Sequence, residues 1–257
     1  MSFLEKACRQ AWRRVMDGYY DVEWEEINRS PSLFENLTSR PALICEIKRV
    51  SPIVGKLRPD IRIEEALKEI MNGGGDAVSI LTDPDNFHGS IHDLRHASIY
   101  PLPTLMKDFV VSERQIEAAC RSGASAILLI HQIFKRGLSS MSLREAIRMA
   151  HDLGLEVILE IYDGGLGEAL DTDSELIGIN SRNLDTLEIN LEKAYNMIRG
   201  HQGDAWRIVA ESGIKSHQDI TRFMELGVTR FLVGTSIMSS GSISSKIREL
   251  KGGLRHD

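Results

Sequence analysis

Cysteine is scarce: Cys8, Cys45 and Cys120 are the three among 257 residues. They are widely separated, no CxxC pair occurs, and the odd count offers no disulfide framework. That usage fits a reducing, cytoplasmic compartment. Long apolar runs are also missing. The longest, "AILLI" at Ala126 to Ile130, is far too short to cross a bilayer. The opening residues, "MSFLEKACRQAWRRVMDG", interleave charges with apolar residues and lack the continuous apolar core of a secretory signal. No Lys/Arg-rich block stands out and the formal net charge is −6, which argues against nucleic acid as a partner. Neither a membrane nor a nucleic acid is expected to engage this chain.

What is present is enough apolar material for one large core, 42% of residues, in a length typical of a single α/β barrel. Phe3, Leu4, Ala7, Cys8, Ala11, Trp12, Val15 and Met16 recur at three- and four-residue steps, which predicts an amphipathic helix. It belongs to an N-terminal helical extension over 1–40, where Trp12 and Trp24 read as packing residues. A unit then repeats: a helix-like stretch ends in Gly, and an apolar run follows about two residues later. It appears as "GGGDAVSIL", "SGASAILLI", "LGLEVILEI" and "LGVTRFLVG". With "PALICEIK", "PTLMKDF", "ELIGIN" and "WRIVAES" there are eight strand candidates alternating with helices. That pattern predicts a parallel sheet closed into a (β/α)8 TIM barrel, a single domain over 1–257. An open doubly wound sheet is the alternative, but no GxGxxG follows the first strand.

Side chains alternate across a strand. In "LICEIK", Leu43, Cys45 and Ile47 take one face; Ile44, Glu46 and Lys48 take the other. The same sorting sends Lys107, Glu160, Asn180 and Glu211 into the barrel, each near the C-terminal end of its strand, where barrels carry their active sites. Ion pairs that merely satisfy one another would explain any single pair. Six polar residues at one end of five strands point instead to a site. "ESGI" and "VGTS" close the last two long strands, where barrels commonly bind phosphate. Gly213 and Gly234 would let backbone N–H groups approach an anion, and Thr235 or Ser236 would add a hydroxyl.

The segments "EIKRVSP", "SILTDPDNFHGS", "PTLMKDF", "IGINSRNLDTLEIN", "VAESGI" and "FLVGTSIM", in this order from about Pro41 to Met238, resemble the indole-3-glycerol phosphate synthase family. The resemblance implies ring closure of 1-(2-carboxyphenylamino)-1-deoxyribulose 5-phosphate with loss of carbon dioxide and water. It implies no metal or organic cofactor. By resemblance Lys107 is the general acid, Lys48 holds the substrate carboxylate with a share in proton donation left open, and Glu160 is the general base. Glu46 and Asn180 match orienting residues, and Glu211, Ser212 and Arg182 match substrate contacts. Phe87, Phe109 and Leu128 match the walls of the aromatic site; Ser51, Gly213, Gly234 and Thr235 match the phosphate site. A second nearby cation and burial would lower the Lys107 pKa toward neutrality. The N-terminal helix resembles one that closes the bottom or flank of the barrel. Contacts with other enzymes of the pathway would be transient.

Three departures from the family pattern stand out. Ile53 replaces a usual serine, "YDGGLGEAL" is rich in Gly164, Gly165 and Gly167 and should weaken its helix, and His131 stands where an apolar residue is usual. His88, His92 and His96 share a four-residue spacing but read as solvated residues around a helix break. Competing readings are another phosphosugar barrel enzyme such as phosphoribosylanthranilate isomerase, whose Cys/Asp pair finds no match at the strand ends, and a non-catalytic phosphosugar-binding barrel.

Overall fold

The computed structural model describes residues 1–23 and 29–253; Trp24 lies outside the described residues. Eight parallel strands close a barrel: β1 (Ala42–Ile47), β2 (Ala77–Leu81), β3 (Thr104–Lys107), β4 (Ala126–Ile130), β5 (Glu156–Ile161), β6 (Leu176–Asn180), β7 (Ile208–Glu211) and β8 (Arg230–Val233). Each strand pairs with its sequence neighbours, and β1 pairs with both β2 and β8. Aliphatic runs form these strands because both faces are covered, one by helices and one by the barrel interior. All six residues of β1 are buried.

Glycine supplies the helix stops the repeat requires. The helix Ile63–Gly73 ends at Gly74, whose φ of 78° lets its N–H reach the Ile70 and Met71 carbonyls. Serines set the starts: Ser112, Ser142 and Ser216 each form a reciprocal capping box with the residue three positions on. Inside the barrel, Ile44, Leu105, Ile158 and Val209 from the odd strands are fully or almost fully buried. Two residues further along the same strands come Glu46, Lys107, Glu160 and Glu211. An aliphatic floor therefore underlies one charged layer, as expected when a barrel's layers draw on alternate strands.

Helix α1 (Phe3–Met16) departs from expectation. It crosses the C-terminal mouth, not the bottom or flank. The Leu4 N–H donates to the Leu184 carbonyl at 3.1 Å, Trp12 Nε1 donates to the Leu138 carbonyl at 3.0 Å, and Arg14 reaches Asp83 and Asp108. These partners all lie beyond strand C-terminal ends. The opposite end is covered by the short helix α2 (Leu33–Asn36), whose Phe34 N–H donates to Glu156 at the start of β5. An apolar stripe fits either end of a barrel; the polar partners of Arg14 select the mouth.

Candidate active site

The C-terminal ends of the strands surround a cavity of about 680 Å³, and Glu46, Lys48, Lys107, Glu160, Asn180 and Glu211 all line it. Lys107 Nζ donates to Glu160 Oε2 and to Glu211 Oε2, each at 2.9 Å. Asn180 Nδ2 donates to the other oxygen of Glu160 at 2.9 Å, so both Glu160 oxygens are engaged. Lys48 Nζ pairs with Glu46 Oε1 at 2.7 Å. Two glycines make this packing feasible. A Cβ on Gly178 would stand 2.2 Å from Glu211 Oε1, and one on Gly234 would stand 2.3 Å from Glu46 Oε1. Gly234 thus accommodates a glutamate as well as bordering the cavity.

Two lysines face three glutamates in this layer, leaving one carboxylate in excess when all are ionised. Glu211 absorbs the imbalance. Burial first, then the Glu160 and Glu46 charges, push its carboxyl up to about 8 against the pull of Lys107. Its Oε1 has no hydrogen-bond partner among the described residues. Glu46 moves the other way: burial opposes ionisation, but Lys48 and Lys107 hold its pKa below the ordinary carboxylate value. For Lys107 the expectation of a lowered pKa is overturned. Burial does pull it down, yet Glu160, Glu211 and Glu46 together raise it, because its immediate neighbours are carboxylates and not a second cation.

One end of the cavity is apolar. Phe87, Phe109 and Leu128 line it, with the Phe87 and Phe109 rings stacked at 6.4 Å between centroids. Phe3 from α1 adds an edge-on contact to Phe109 at 6.0 Å. Phe3 was hidden in the helix's apolar stripe, and no sequence signal separates it from packing. The other end holds Ser51, Ser212, Gly213, Gly234 and Thr235, with Lys215, Ser236 and Lys246 beside them. Ser212 and Gly213 both adopt left-handed backbone, φ 63° and 80°, which turns the chain sharply after β7. Lys215 lay two residues past "SG" and was within reach of sequence reasoning; Lys246 was masked by its serine-rich surroundings. Arg182 borders the cavity and donates through Nη1 to the Leu187 carbonyl at 2.9 Å.

The departures fall around the rim. Ser51 Oγ accepts weakly from the Ile53 and Val54 N–H groups at 3.3 and 3.4 Å, shaping the turn on which both exposed residues face the cavity. The Gly-rich segment forms a helix of only five residues, Leu166–Leu170. His131 is buried outside the cavity lining, with Nε2 3.6 Å from Glu168. His88 ends one helix with φ 53° and His96 faces Glu64, so the three spaced histidines do not converge. Cys8, Cys45 and Cys120 are free and buried.

A family profile described as indole-3-glycerol phosphate synthase matches residues 11–250. Indole-3-glycerol phosphate synthase of Koribacter versatilis is 37% identical over 86% of this chain and 84% of its own length. That of Sulfurisphaera tokodaii is 40% identical over 81% and 82%. Among solved structures, a 3-hexulose-6-phosphate synthase superposes with a TM-score of 0.61 at 11% identity, covering 83% of this chain and all of its own. Pyrococcus furiosus thiamine phosphate pyrophosphorylase gives 0.59 at 16%, covering 86% and 96%. These two show the barrel fold alone.

Proposed function

The chain belongs to the indole-3-glycerol phosphate synthase family, and we propose that it closes the indole ring with Lys107 as proton donor and Glu160 as base. Its function is the family's carboxy-lyase step of tryptophan biosynthesis, acting on a small phosphosugar. The observation that carries the assignment of roles is Lys107 Nζ lying 2.9 Å from both Glu160 and Glu211.

The ring carbon bearing the carboxylate attacks the sugar carbonyl, and the carbonyl oxygen takes the Lys107 proton as it gains charge. The bond to the carboxylate then breaks, carbon dioxide leaves, and its electrons restore the aromatic ring. Finally the new hydroxyl departs as water with a second proton, from Lys48 once the carboxylate it held has left as carbon dioxide, while Glu160 accepts the proton lost in forming the indole double bond. A raised Lys107 pKa keeps the donor charged at neutral pH, suiting an acid at the first step. Lys48, oriented by Glu46, holds the substrate carboxylate; Asn180 orients Glu160. Phe87, Phe109, Leu128 and Phe3 enclose the aromatic ring, and Arg182 and Ser212 contact the sugar. Ser51, Gly213, Gly234 and Thr235 receive the phosphate, with Lys215 and Lys246 supplying charge. The reaction needs no group beyond these side chains. We place the enzyme in the cytoplasm, with no nucleic-acid or membrane partner and only transient contacts with other enzymes of the pathway.

Fluorescence of the indole product formed from the purified carboxyphenylamino substrate tests the reading. Lys107→Ala should lower kcat by about 10³-fold, within the range for loss of a positioned acid. A folded Lys107→Ala enzyme within tenfold of the parent would refute the role of Lys107.

A further inference from the structure

A second buried charge cluster lies just behind β3, and the reaction as described does not use it. Asp108 follows Lys107, so its side chain leaves the strand on the opposite side. Its buried carboxylate accepts from Thr82 Oγ1 at 2.5 Å, Tyr20 OH at 2.7 Å, Arg14 Nη2 at 3.1 Å and the Phe109 N–H at 2.8 Å. Arg14 also donates to Asp83 at 3.2 Å, to Asp85, and through Nε to Tyr20 OH at 3.0 Å. The Thr82 N–H donates to the Lys107 carbonyl at 3.2 Å, so Thr82 joins the ends of β2 and β3 through the backbone as well as through the Asp108 side chain.

Burying a guanidinium is an expensive way to attach a helix, and apolar packing often does as well. Helix α1 already has an apolar face in Leu4, Ala7, Cys8, Ala11 and Val15. Such a face tolerates sliding. Arg14 does not, because it grips two strand ends at once. One of the two fully buried carboxylates it holds, Asp108, stands between Lys107 and Phe109.

We propose that Arg14 is a positioning residue for ring closure: through Asp108 it fixes the end of β3, and with it Lys107 and Phe109. The proposal rests on Lys107 being the proton donor. Helix α1 then serves the chemistry at both its ends, with Phe3 at the aromatic wall and Arg14 behind the acid.

The test compares two anchors of the same helix. Arg14→Met removes the grip on Asp108; Trp12→Phe removes only the bond to Leu138, away from Lys107. With kcat normalised to the folded fraction from near-ultraviolet circular dichroism, Arg14→Met should lose about tenfold in kcat while KM stays within about threefold. Trp12→Phe should keep its kcat, and Arg14→Lys, which retains one charged contact, should recover most of the loss. An Arg14→Met enzyme within about twofold of the parent, or an equal loss in Trp12→Phe, overturns the proposal. Should Arg14→Met not fold, Tyr20→Phe decides: a loss of about threefold or more in kcat supports the role, and an unchanged kcat overturns it. Lys107→Ala is assayed alongside. If it is inactive while Arg14→Met is fully active, only the positioning role falls. If Lys107→Ala is active, the acid assignment fails and takes this proposal with it.

Discussion

Two buried charge clusters sit on opposite sides of one strand end, and they are built differently. Around Lys107 the charges open onto a cavity, and Glu211 Oε1 is without a partner among the described residues. Around Asp108 the charged side chains are buried beneath α1 at the cavity's edge, and the carboxylate meets four donors. Incomplete pairing in the first leaves groups to respond to a substrate. Complete pairing in the second fixes geometry and leaves nothing to react. A buried polar network that is fully satisfied rigidifies; one that is partly satisfied is poised to change.

Crowding the open cluster should have the largest effect. Gly178→Ala would place a Cβ 2.2 Å from Glu211 Oε1 and 3.3 Å from Ile158 Cγ2. The carboxylate must move, and Lys107 with it. Stability should fall by about 1–3 kcal/mol from overpacking. A displacement of roughly 1 Å at the acid should cost about 10²-fold in kcat. Denaturant unfolding and product fluorescence report the two effects separately. A Gly178→Ala enzyme with parental kcat would mean that the position of Glu211 is unimportant.

A smaller effect follows from the excess charge itself. The folded pKa of Glu211, about 8, lies above the ordinary 4.5. Folded protein therefore binds this proton more tightly than unfolded chain does. The resulting stability is fully present below pH 4.5 and is lost as pH rises through 8. Between pH 6 and 9 the parent Tm should fall more steeply than that of Glu211→Gln, which carries no proton to lose. Parallel slopes in the two proteins would show that Glu211 is ionised throughout. In the second cluster Arg14 stays charged across this range, and the group whose proton affinity is raised is Asp83.

The open cluster was legible in the sequence and the second one was not, for a physical reason. Period-two alternation carries orientation, so Glu46, Lys107, Glu160, Asn180 and Glu211 could be sent inward from their neighbours alone. The same rule placed Cys45 outward, where it packs beside Gly75. Proton affinities were not legible, because alternation says which side a lysine faces but not how many carboxylates wait there. Lys107 was misjudged on that count. The placement of α1 was not legible either. Its stripe records that one face is apolar, not which surface receives it, and nothing in the sequence sets Arg14 apart from Arg13 beside it. Its partners Asp83 and Asp108 are distant in sequence and become neighbours only when β2 and β3 pair.

The second cluster sets three carboxylates against the one guanidinium of Arg14, and the most exposed of them gives the smallest effect. Arg14 meets Asp83 and Asp108, which are fully buried side chains, and also Asp85, whose side chain is 38% exposed. Water and counterions screen Asp85 but not the other two. Burial and the Asp108 charge already raise the Asp83 pKa, while Arg14 opposes them. Neutralising Asp85 removes the screened member and leaves the grip on Asp83 and Asp108 whole. Asp85→Asn should therefore change stability by less than about 1 kcal/mol, the range for an exposed pair. Asp108→Asn, which replaces a fully buried carboxylate that accepts four hydrogen bonds, should cost about 3 kcal/mol or more. Urea unfolding of the two variants measures the ratio. Equal losses would mean that Arg14 is held by its charge surroundings at large and not by the carboxylate behind Lys107.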